Sequence, residues 1–119
     1  MGDAATDWLS GLFVPVTTHF DPVTGDIAPV TFRENLRRWL ETPINGYVIL
    51  GSTGEGALLD EDEKVRLAEY ARDVIPGMRP LVAGAGAEST RAVIRLSKRF
   101  DETGCDAVLV HPPPYYGVS

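Results

Sequence analysis

A glycine-rich stretch, Gly51-Ser52-Thr53-Gly54-Glu55-Gly56, directly follows an apolar run at residues 47–50. Glycine allows left-handed backbone and close approach by another group, while hydroxyls and free amide N–H groups can donate hydrogen bonds to a small anion. The stretch has neither the lysine of a P-loop nor GxGxxG spacing. Two interpretations therefore stay open: a turn in which Ser52 and Thr53 bond to local backbone groups, or a seat for a carboxylate or phosphate.

Two further polar segments follow apolar runs, Gly-Ala-Gly-Ala-Glu-Ser-Thr at residues 84–90 and His-Pro-Pro-Pro-Tyr-Tyr-Gly at residues 111–117. The small residues of the first would let its loop pass close to a ligand or another loop, and a structural role is favoured. The prolines of the second would hold two tyrosines in a fixed direction. From chemistry alone, packing is the favoured role for those tyrosines.

The remaining titratable side chains are weaker candidates for a functional role. His19 and His111 have no partners at ligand spacing, so each is interpreted as a surface or packing residue. Glu55 could act as a base, but a carboxylate bound to loop amides is the commoner use. Lys64 and Lys98 lie among charged neighbours on predicted helices, whereas a nucleophilic lysine is desolvated near a strand end. Neither lysine therefore qualifies as a nucleophile.

Apolar runs alternate with amphipathic segments along the chain, which predicts β-loop-α units. Strands are expected at residues 12–16, 47–50, 81–83 and 107–110, with helices at residues 30–41 and 60–75 and a third helix with Val93, Leu96 and Phe100 on its inward face. Asp60 with Glu63 predicts a capping box, Ser89 or Thr90 caps the third helix, and Gly104 ends it. An open doubly wound sheet and a closed barrel both fit this order, and a complete barrel needs about 250 residues.

Composition restricts the class of protein and its partners. The 119 residues are 44% apolar, which is enough for the core of one modest domain. Seventeen acidic against eleven basic side chains give a net charge of −6, which argues against nucleic acid and anionic lipid as partners. The single cysteine, Cys105, argues against disulfides and zinc. With no signal peptide and no apolar run of about 18 residues, we predict a soluble cytoplasmic protein without a membrane partner.

The segment at residues 51–55, with Glu63 eight residues after it, resembles the signature of the dihydrodipicolinate synthase / N-acetylneuraminate lyase family of class I aldolases. The resemblance continues in residues 14–18, 83–90 and 114–116, so nearly the whole chain from about Gly11 matches in order and spacing. It implies the N-terminal half of a (β/α)8 TIM barrel, with about four parallel strands and three helices. Residues 1–119 would then be a single partial barrel domain, truncated after strand four.

The resemblance also implies a chemistry. Members of this family form a Schiff base between a lysine and pyruvate, and act as carbon-carbon or carbon-oxygen lyases on 2-oxo acids. By motif, Ser52 and Thr53 receive the pyruvate carboxylate, and Ser52 is also the hydroxyl link of a proton relay. Tyr116 would reach across a dimer interface into the neighbouring subunit's relay. The family is commonly a homo-oligomer, and its chemistry requires no metal or organic cofactor.

In the family, the Schiff-base lysine belongs to strand six and the central relay tyrosine to strand five. Neither Lys64 nor Lys98 matches that lysine, so we predict that this polypeptide alone is inactive, with a sequence fragment as the favoured explanation. Two hypotheses stay open. The first is part of a pyruvate-dependent enzyme, either dihydrodipicolinate synthase-like or 4-hydroxy-2-oxoglutarate aldolase-like. The second is a non-catalytic module that binds a keto acid or associates with a full-length relative.

Overall fold

All four predicted strands and all three predicted helices are present in a computed structural model, which describes residues 7–113. The strands are β1 (Phe13–Pro15), β2 (Gly46–Ile49), β3 (Leu81–Gly84) and β4 (Ala107–Leu109). The helices are α1 (Pro29–Leu40), α2 (Glu61–Val74) and α3 (Thr90–Thr103), and short 3-10 helices span Asp7–Leu9 and Gly56–Leu58. Boundaries differ from the sequence predictions by a residue or two, as expected for fraying ends.

The four strands form one parallel sheet in the order β1-β2-β3-β4. The register places Val14 beside Tyr47 and Tyr47 beside Leu81, so these side chains share one face of the sheet. A doubly wound sheet reverses its strand order at a switch point, whereas a barrel wall adds each new strand to the same side. Together with the helices that cover one face, the order identifies the N-terminal half of a (β/α)8 barrel, and the predicted fold class is confirmed.

The hydrophobic core lies between the sheet and the layer of helices. Alternation along the strands sends Tyr47 and Ile49 of β2 and Leu81 and Ala83 of β3 toward the helices, and all four are fully buried. The helices contribute side chains at helical spacing on their inward faces: Phe32, Leu36, Leu67, Ala68, Ala71, Leu96 and Phe100. This packing holds the strand ends, and the loops that follow them, in fixed positions.

Helix ends agree with the predicted caps. The Asp60 carboxylate accepts from the Glu63 amide at 2.8 Å while the Glu63 carboxylate accepts from the Asp60 amide at 2.9 Å, which completes a capping box. The Ser89 hydroxyl caps α3 by accepting from the Ala92 amide at 3.1 Å. Gly104 ends α3 in the left-handed region, at φ 95. Both α2 and α3 therefore begin at defined residues directly after the loops that follow β2 and β3.

Arg72 closes the edge of the sheet where the strands begin. Its guanidinium donates to the Gly104 carbonyl at 2.8 Å, to the Arg79 carbonyl at 2.8 Å and to the Asp106 carboxylate at 2.9 Å. The same carboxylate accepts from the Leu81 amide at 2.9 Å. These bonds tie α2 to the starts of β3 and β4, so the amino edge is occupied by structural contacts.

Within residues 7–113, β1 and β4 each pair with a strand on one side only. Pro15, which lacks an amide donor, is the last residue of β1. The outer face of β4 exposes Val108, and Ile94 of the neighbouring α3 is exposed as well. None of the helices described between residues 7 and 113 has both the length and the apolar composition of a membrane-spanning helix.

The Cys105 thiol is buried at the end of α3, and burial raises its pKa above the ordinary 9.0, although the Thr103 hydroxyl and nearby Arg72 oppose the shift. Because the folded state raises this pKa, the resulting stability is present below pH 9 and is lost as the pH rises through the folded value.

We expect iodoacetamide at pH 8 to alkylate Cys105 at least about tenfold more slowly in the folded chain than in urea. Mass spectrometry measures both alkylation rates, and equal rates in the folded and the unfolded chain would contradict this expectation.

Candidate functional site

An open cleft of about 390 Å³ lies at the carboxyl edge of the sheet. Its walls come from the ends of β2, β3 and β4 and from the first turns of α2, and include Ser52, Lys64, Glu88 and His111. Parallel α/β proteins bind ligands at this edge, because the loops converge there and helix N-termini direct donors toward it. The three polar segments selected from the sequence thus lead to one edge of the sheet.

The loop after β2 departs from ordinary backbone geometry at the bottom of the cleft. Leu50 has φ 61 and Glu55 has φ 56, both in the left-handed region that bulky residues rarely occupy. A Cβ atom added at Gly56 or at Gly84 would collide with the Leu50 carbonyl oxygen. Glycine at these two positions therefore makes room for the Leu50 carbonyl, and strain of this kind concentrates at functional sites.

Thr18 anchors the same loop from the segment that follows β1. Its buried hydroxyl donates to the Gly54 carbonyl at 2.6 Å, and the Val16 amide donates to the Val48 carbonyl at 2.8 Å. Sequence reasoning did not single out Thr18 as a positioning residue. A hydroxyl shortly after the first strand is the available signal, since the ends of neighbouring parallel strands meet at one edge.

Ser52 and Thr53 differ in their placement on this loop. Ser52 lines the cleft, whereas Thr53 is exposed on the same turn and is not part of the cleft wall. Neither hydroxyl bonds to another residue among positions 7–113, although the Ser52 carbonyl accepts from the Glu55 amide at 3.1 Å. The described residues therefore do not support the local-turn interpretation, in which these hydroxyls bond to nearby backbone. Among the described residues the Ser52 hydroxyl has no partner, so it is available to a ligand.

Lys64, Glu88 and His111 line the cleft, although sequence reasoning dismissed the lysine and gave the histidine a surface or packing role. The imidazole of His111 packs against Gly86, and its Nδ1 lies 2.9 Å from the Pro112 carbonyl oxygen. The first turns of α2 follow the β2 loop, so a side chain there can return to the strand ends. That position in the unit was the available signal for Lys64.

Tyr116, the third predicted site residue, lies outside the described residues. Among residues 7–113, no group of three or more His, Cys, Asp and Glu side chains is placed to hold a metal ion. Lys98 lies on α3 and is not part of the cleft wall. The cleft offers the Ser52 hydroxyl, glycine backbone and Lys64, beside the Glu88 carboxylate and His111. Its donors are suited to holding a small anion.

Comparison with known sequences identifies relatives of this chain. The model of the dihydrodipicolinate synthetase family matches residues 8–119. A 4-hydroxy-tetrahydrodipicolinate synthase from Methanopyrus kandleri is 39% identical over 98 residues, 80% of this chain and 32% of that protein. The enzyme of the same name from Bradyrhizobium diazoefficiens is 35% identical over 112 residues, 94% of this chain and 37% of that protein. The chain spans about a third of the length of these relatives.

Solved structures resemble the fold over most of the chain. A dihydrodipicolinate synthase family protein from Coccidioides immitis superposes with a TM-score of 0.85 at 32% identity, covering 88% of this chain and 35% of its own. YagE from E. coli K12, a family protein solved in complex with pyruvate, superposes with a TM-score of 0.84 at 28% identity. The match covers 92% of this chain and 36% of YagE. CdNal from Clostridium difficile, solved in complex with mannosamine, superposes with a TM-score of 0.85 at 29% identity. The match covers 92% of this chain and 38% of CdNal.

Proposed function

The chain belongs to the dihydrodipicolinate synthetase family, and from this premise we propose that it carries the 2-oxo acid seat of a Schiff-base-forming lyase or aldolase. Ser52 and Thr53 would receive the carboxylate of pyruvate or a related 2-oxo acid. The observation that carries the proposal is the Ser52 hydroxyl, which lines an open cleft at the carboxyl edge of the sheet and has no partner among residues 7–113. The family to which the chain belongs is a family of lyases. The particular reaction of this chain is part of the proposal.

The cleft is large enough for the proposed substrate. A three-carbon keto acid fills only a part of the roughly 390 Å³, which leaves space for a second reactant. The loop holds its donors in place through the strained Leu50 backbone and the Thr18 bond to Gly54. Prearranged donors bind a carboxylate with little reorganisation, so the ketone carbon would be fixed in one direction. A neighbour of similar fold, YagE, was solved in complex with pyruvate, which supports this substrate class.

The remaining chemistry is assigned by resemblance. Ser52 would pass a proton in a relay, and Tyr116 would enter the relay of a neighbouring subunit in a homo-oligomer. The amine nucleophile would come from a strand-six lysine, which neither Lys64 nor Lys98 matches, so residues 1–119 are proposed to act as one partial barrel domain, inactive alone. The named relatives are 4-hydroxy-tetrahydrodipicolinate synthases, and a 4-hydroxy-2-oxoglutarate aldolase-like reaction stays within the proposal.

The proposed reaction needs no metal or organic cofactor, because the amine itself activates the ketone carbon. A cytoplasmic setting is proposed from cysteine usage, since Cys105 is a single buried thiol. We propose neither nucleic acid nor membrane as a partner, given the net charge of −6.

A non-catalytic module is the second candidate. It is favoured by the exposed apolar side chains beside β4, Val108, Val110 and Ile94, which give a subunit-association role a surface to act through. In this role the cleft would bind a keto acid without turnover, or the chain would associate with a full-length relative. Gel filtration with and without such a relative separates association from isolated binding.

Replacing Ser52 with alanine is expected to weaken pyruvate binding by about tenfold or more, because a hydrogen bond to a charged group contributes roughly 1.5–3 kcal/mol. Thr53→Ala is expected to have a smaller effect, since Thr53 is not part of the cleft wall. Isothermal titration of the chain with pyruvate measures both. Ser10→Ala, an exposed hydroxyl near the opposite edge, is the matched control. Unchanged affinity in Ser52→Ala, or no binding by the unsubstituted chain, would contradict the proposal.

A further inference from the structure

The only asparagine-glycine pair of the sequence, Asn45-Gly46, lies at the start of β2 and is not part of the cleft wall. Such a pair can close a succinimide ring, because glycine has no side chain to shield its backbone nitrogen from the neighbouring carboxamide. The two reacting groups belong to adjacent residues, so their effective concentration is already high. Asn45 is exposed, and water therefore reaches its side chain. The pair has the chemistry of a deamidation site.

Leu12, the residue before β1, binds both reacting groups. Its amide donates to the Asn45 Oδ1 at 2.7 Å. Its carbonyl accepts from the Asn45 amide at 2.8 Å and from the Gly46 amide at 3.4 Å. Ring closure requires the Asn45 Cγ to turn toward the Gly46 nitrogen, and that nitrogen to lose its proton. Both changes break bonds to Leu12, so the folded contact opposes the reaction.

The neighbours of Leu12 hold the same pair by packing. Gly11 has φ 104, and a Cβ added there would collide with the Asn45 carboxamide, which therefore packs directly on the Gly11 backbone. Phe13 pairs with Gly46 in the sheet, and its ring covers the buried Gly46 so closely that a Cβ there would lie 2.8 Å from Cδ2 and Cζ. Residues 11–13 therefore fix both halves of the pair.

The segment that supplies these contacts is held less firmly than the core. The strand that it enters, β1, is three residues long and, within residues 7–113, pairs with β2 alone. Leu12 itself is 65% exposed. A short strand with one partner opens locally at a lower free energy than the core of the sheet. The protection of Asn45 therefore lasts only as long as residues 11–13 stay docked.

We infer that Asn45 is a deamidation site, which is blocked while residues 11–13 are docked against β2 and becomes reactive when they separate from it. In the reaction the Gly46 nitrogen bonds to the Asn45 Cγ and the Cγ–Nδ2 bond breaks. Nδ2 leaves as ammonia, taking the proton of the Gly46 amide. Water then opens the succinimide at either of its carbonyls, which leaves aspartate or isoaspartate at this position. The site lies outside the cleft, so the inference does not depend on the proposed function.

The two products have different consequences for β1. An aspartate carboxylate can still accept from the Leu12 amide and keeps the backbone unchanged. Isoaspartate lengthens the main chain by one carbon directly before β2, which displaces Gly46 from its place beside Phe13. Either product adds a negative charge to a chain that carries −6. Isoaspartate therefore converts a temporary separation of β1 into a permanent one.

The test follows both asparagines of the chain by peptide mass mapping, during incubation at mildly alkaline pH with and without urea. Asn45 is expected to deamidate at least about tenfold more slowly in the folded chain than in urea. Below the unfolding transition its rate should depend only weakly on urea, because local opening exposes little surface. Asn35, which lies in α1 before the bulky Leu36, is the internal control and should react more slowly than Asn45 in urea.

Gly11→Ala tests the contact itself. The added Cβ displaces the Asn45 carboxamide, so the folded variant should deamidate about fivefold faster than the unsubstituted chain, as expected for the loss of one hydrogen bond. In urea the two should react equally fast. Gly25→Ala is the matched control, because Gly25 is also left-handed, at φ 78, but has no atom within 4 Å of an added Cβ.

Equal rates at Asn45 in the folded chain and in urea would show that the fold does not control the reaction, and absence of reaction in urea would show that Asn45 is not a deamidation site. Equal rates for folded Gly11→Ala and Gly25→Ala would show that the contact with Gly11 does not block it. Urea unfolding of each variant by circular dichroism gives its globally unfolded fraction. If that fraction accounts for the rate of Gly11→Ala, global unfolding exposes Asn45 and the inference is wrong.

Discussion

Treatment of this chain with pyruvate and sodium borohydride is expected to leave the mass of the protein unchanged. Imine formation requires a neutral amine, which a lysine supplies most readily when it is desolvated in an enclosed pocket. Lys98 is exposed on α3, and Lys64 is only half-buried on the wall of an open cleft. Neither is placed on an inner strand, where the family resemblance puts the nucleophile. Intact-mass spectrometry measures the result directly.

A full-length family member under the same conditions is the positive control and should gain the mass of one reduced pyruvate. A stoichiometric adduct on this chain, mapped by peptide analysis to Lys64 or Lys98, would refute the prediction. The variant Lys64→Gln then shows whether the cleft lysine is responsible, since it would abolish an adduct at that site only.

Replacing Gly84 with alanine is expected to destabilise the fold by about 2–3 kcal/mol or more, because overpacking against rigid backbone cannot be relieved by a side-chain rotation. The added Cβ would collide with the carbonyl oxygen of Leu50, which the neighbouring Gly56 also borders. Relief would require the loop after β2 to move, and Ser52 would move with it. Urea unfolding followed by circular dichroism measures the loss, and pyruvate titration below the transition measures the displacement of the seat.

Gly77→Ala is the matched control for this substitution. A Cβ at Gly77 meets nothing within 4 Å, so its effect should stay within roughly 0.5 kcal/mol. Equal midpoints for Gly84→Ala and the unsubstituted chain would show that the loop is not held against Gly84, and the described geometry of the cleft floor would then be wrong.

Elements of the fold could be predicted because local signals agreed with one another. The capping box of Asp60 and Glu63, and the stop at Gly104, give the bounds of α2 and α3 within a residue. The choice between barrel and doubly wound sheet could not be made this way, since it depends on the order in which strands pair. Strand order is a long-range property that periodicity does not encode.

The position of Ser52 on the cleft wall could be predicted because this residue directly follows a strand end. The candidate site was not predictable where a side chain reaches the cleft from another element. Lys64 appeared to be one charge among many on α2, and only the ion pairs of Glu61 and Asp62 with α3 separate it from them. Thr18 was missed as a positioning residue for the same reason, because its bond to Gly54 joins segments distant in the sequence.

The most direct test of the carboxylate seat is a titration of the isotope-labelled chain with pyruvate, followed through backbone amide resonances by NMR. We expect saturable shifts that are largest for Ser52 and its loop neighbours at residues 51–54. Acetone, which has the ketone but no carboxylate, should leave these resonances in place. Shifts confined to other parts of the chain, or equal shifts with acetone and pyruvate, would contradict a seat for the carboxylate at this loop.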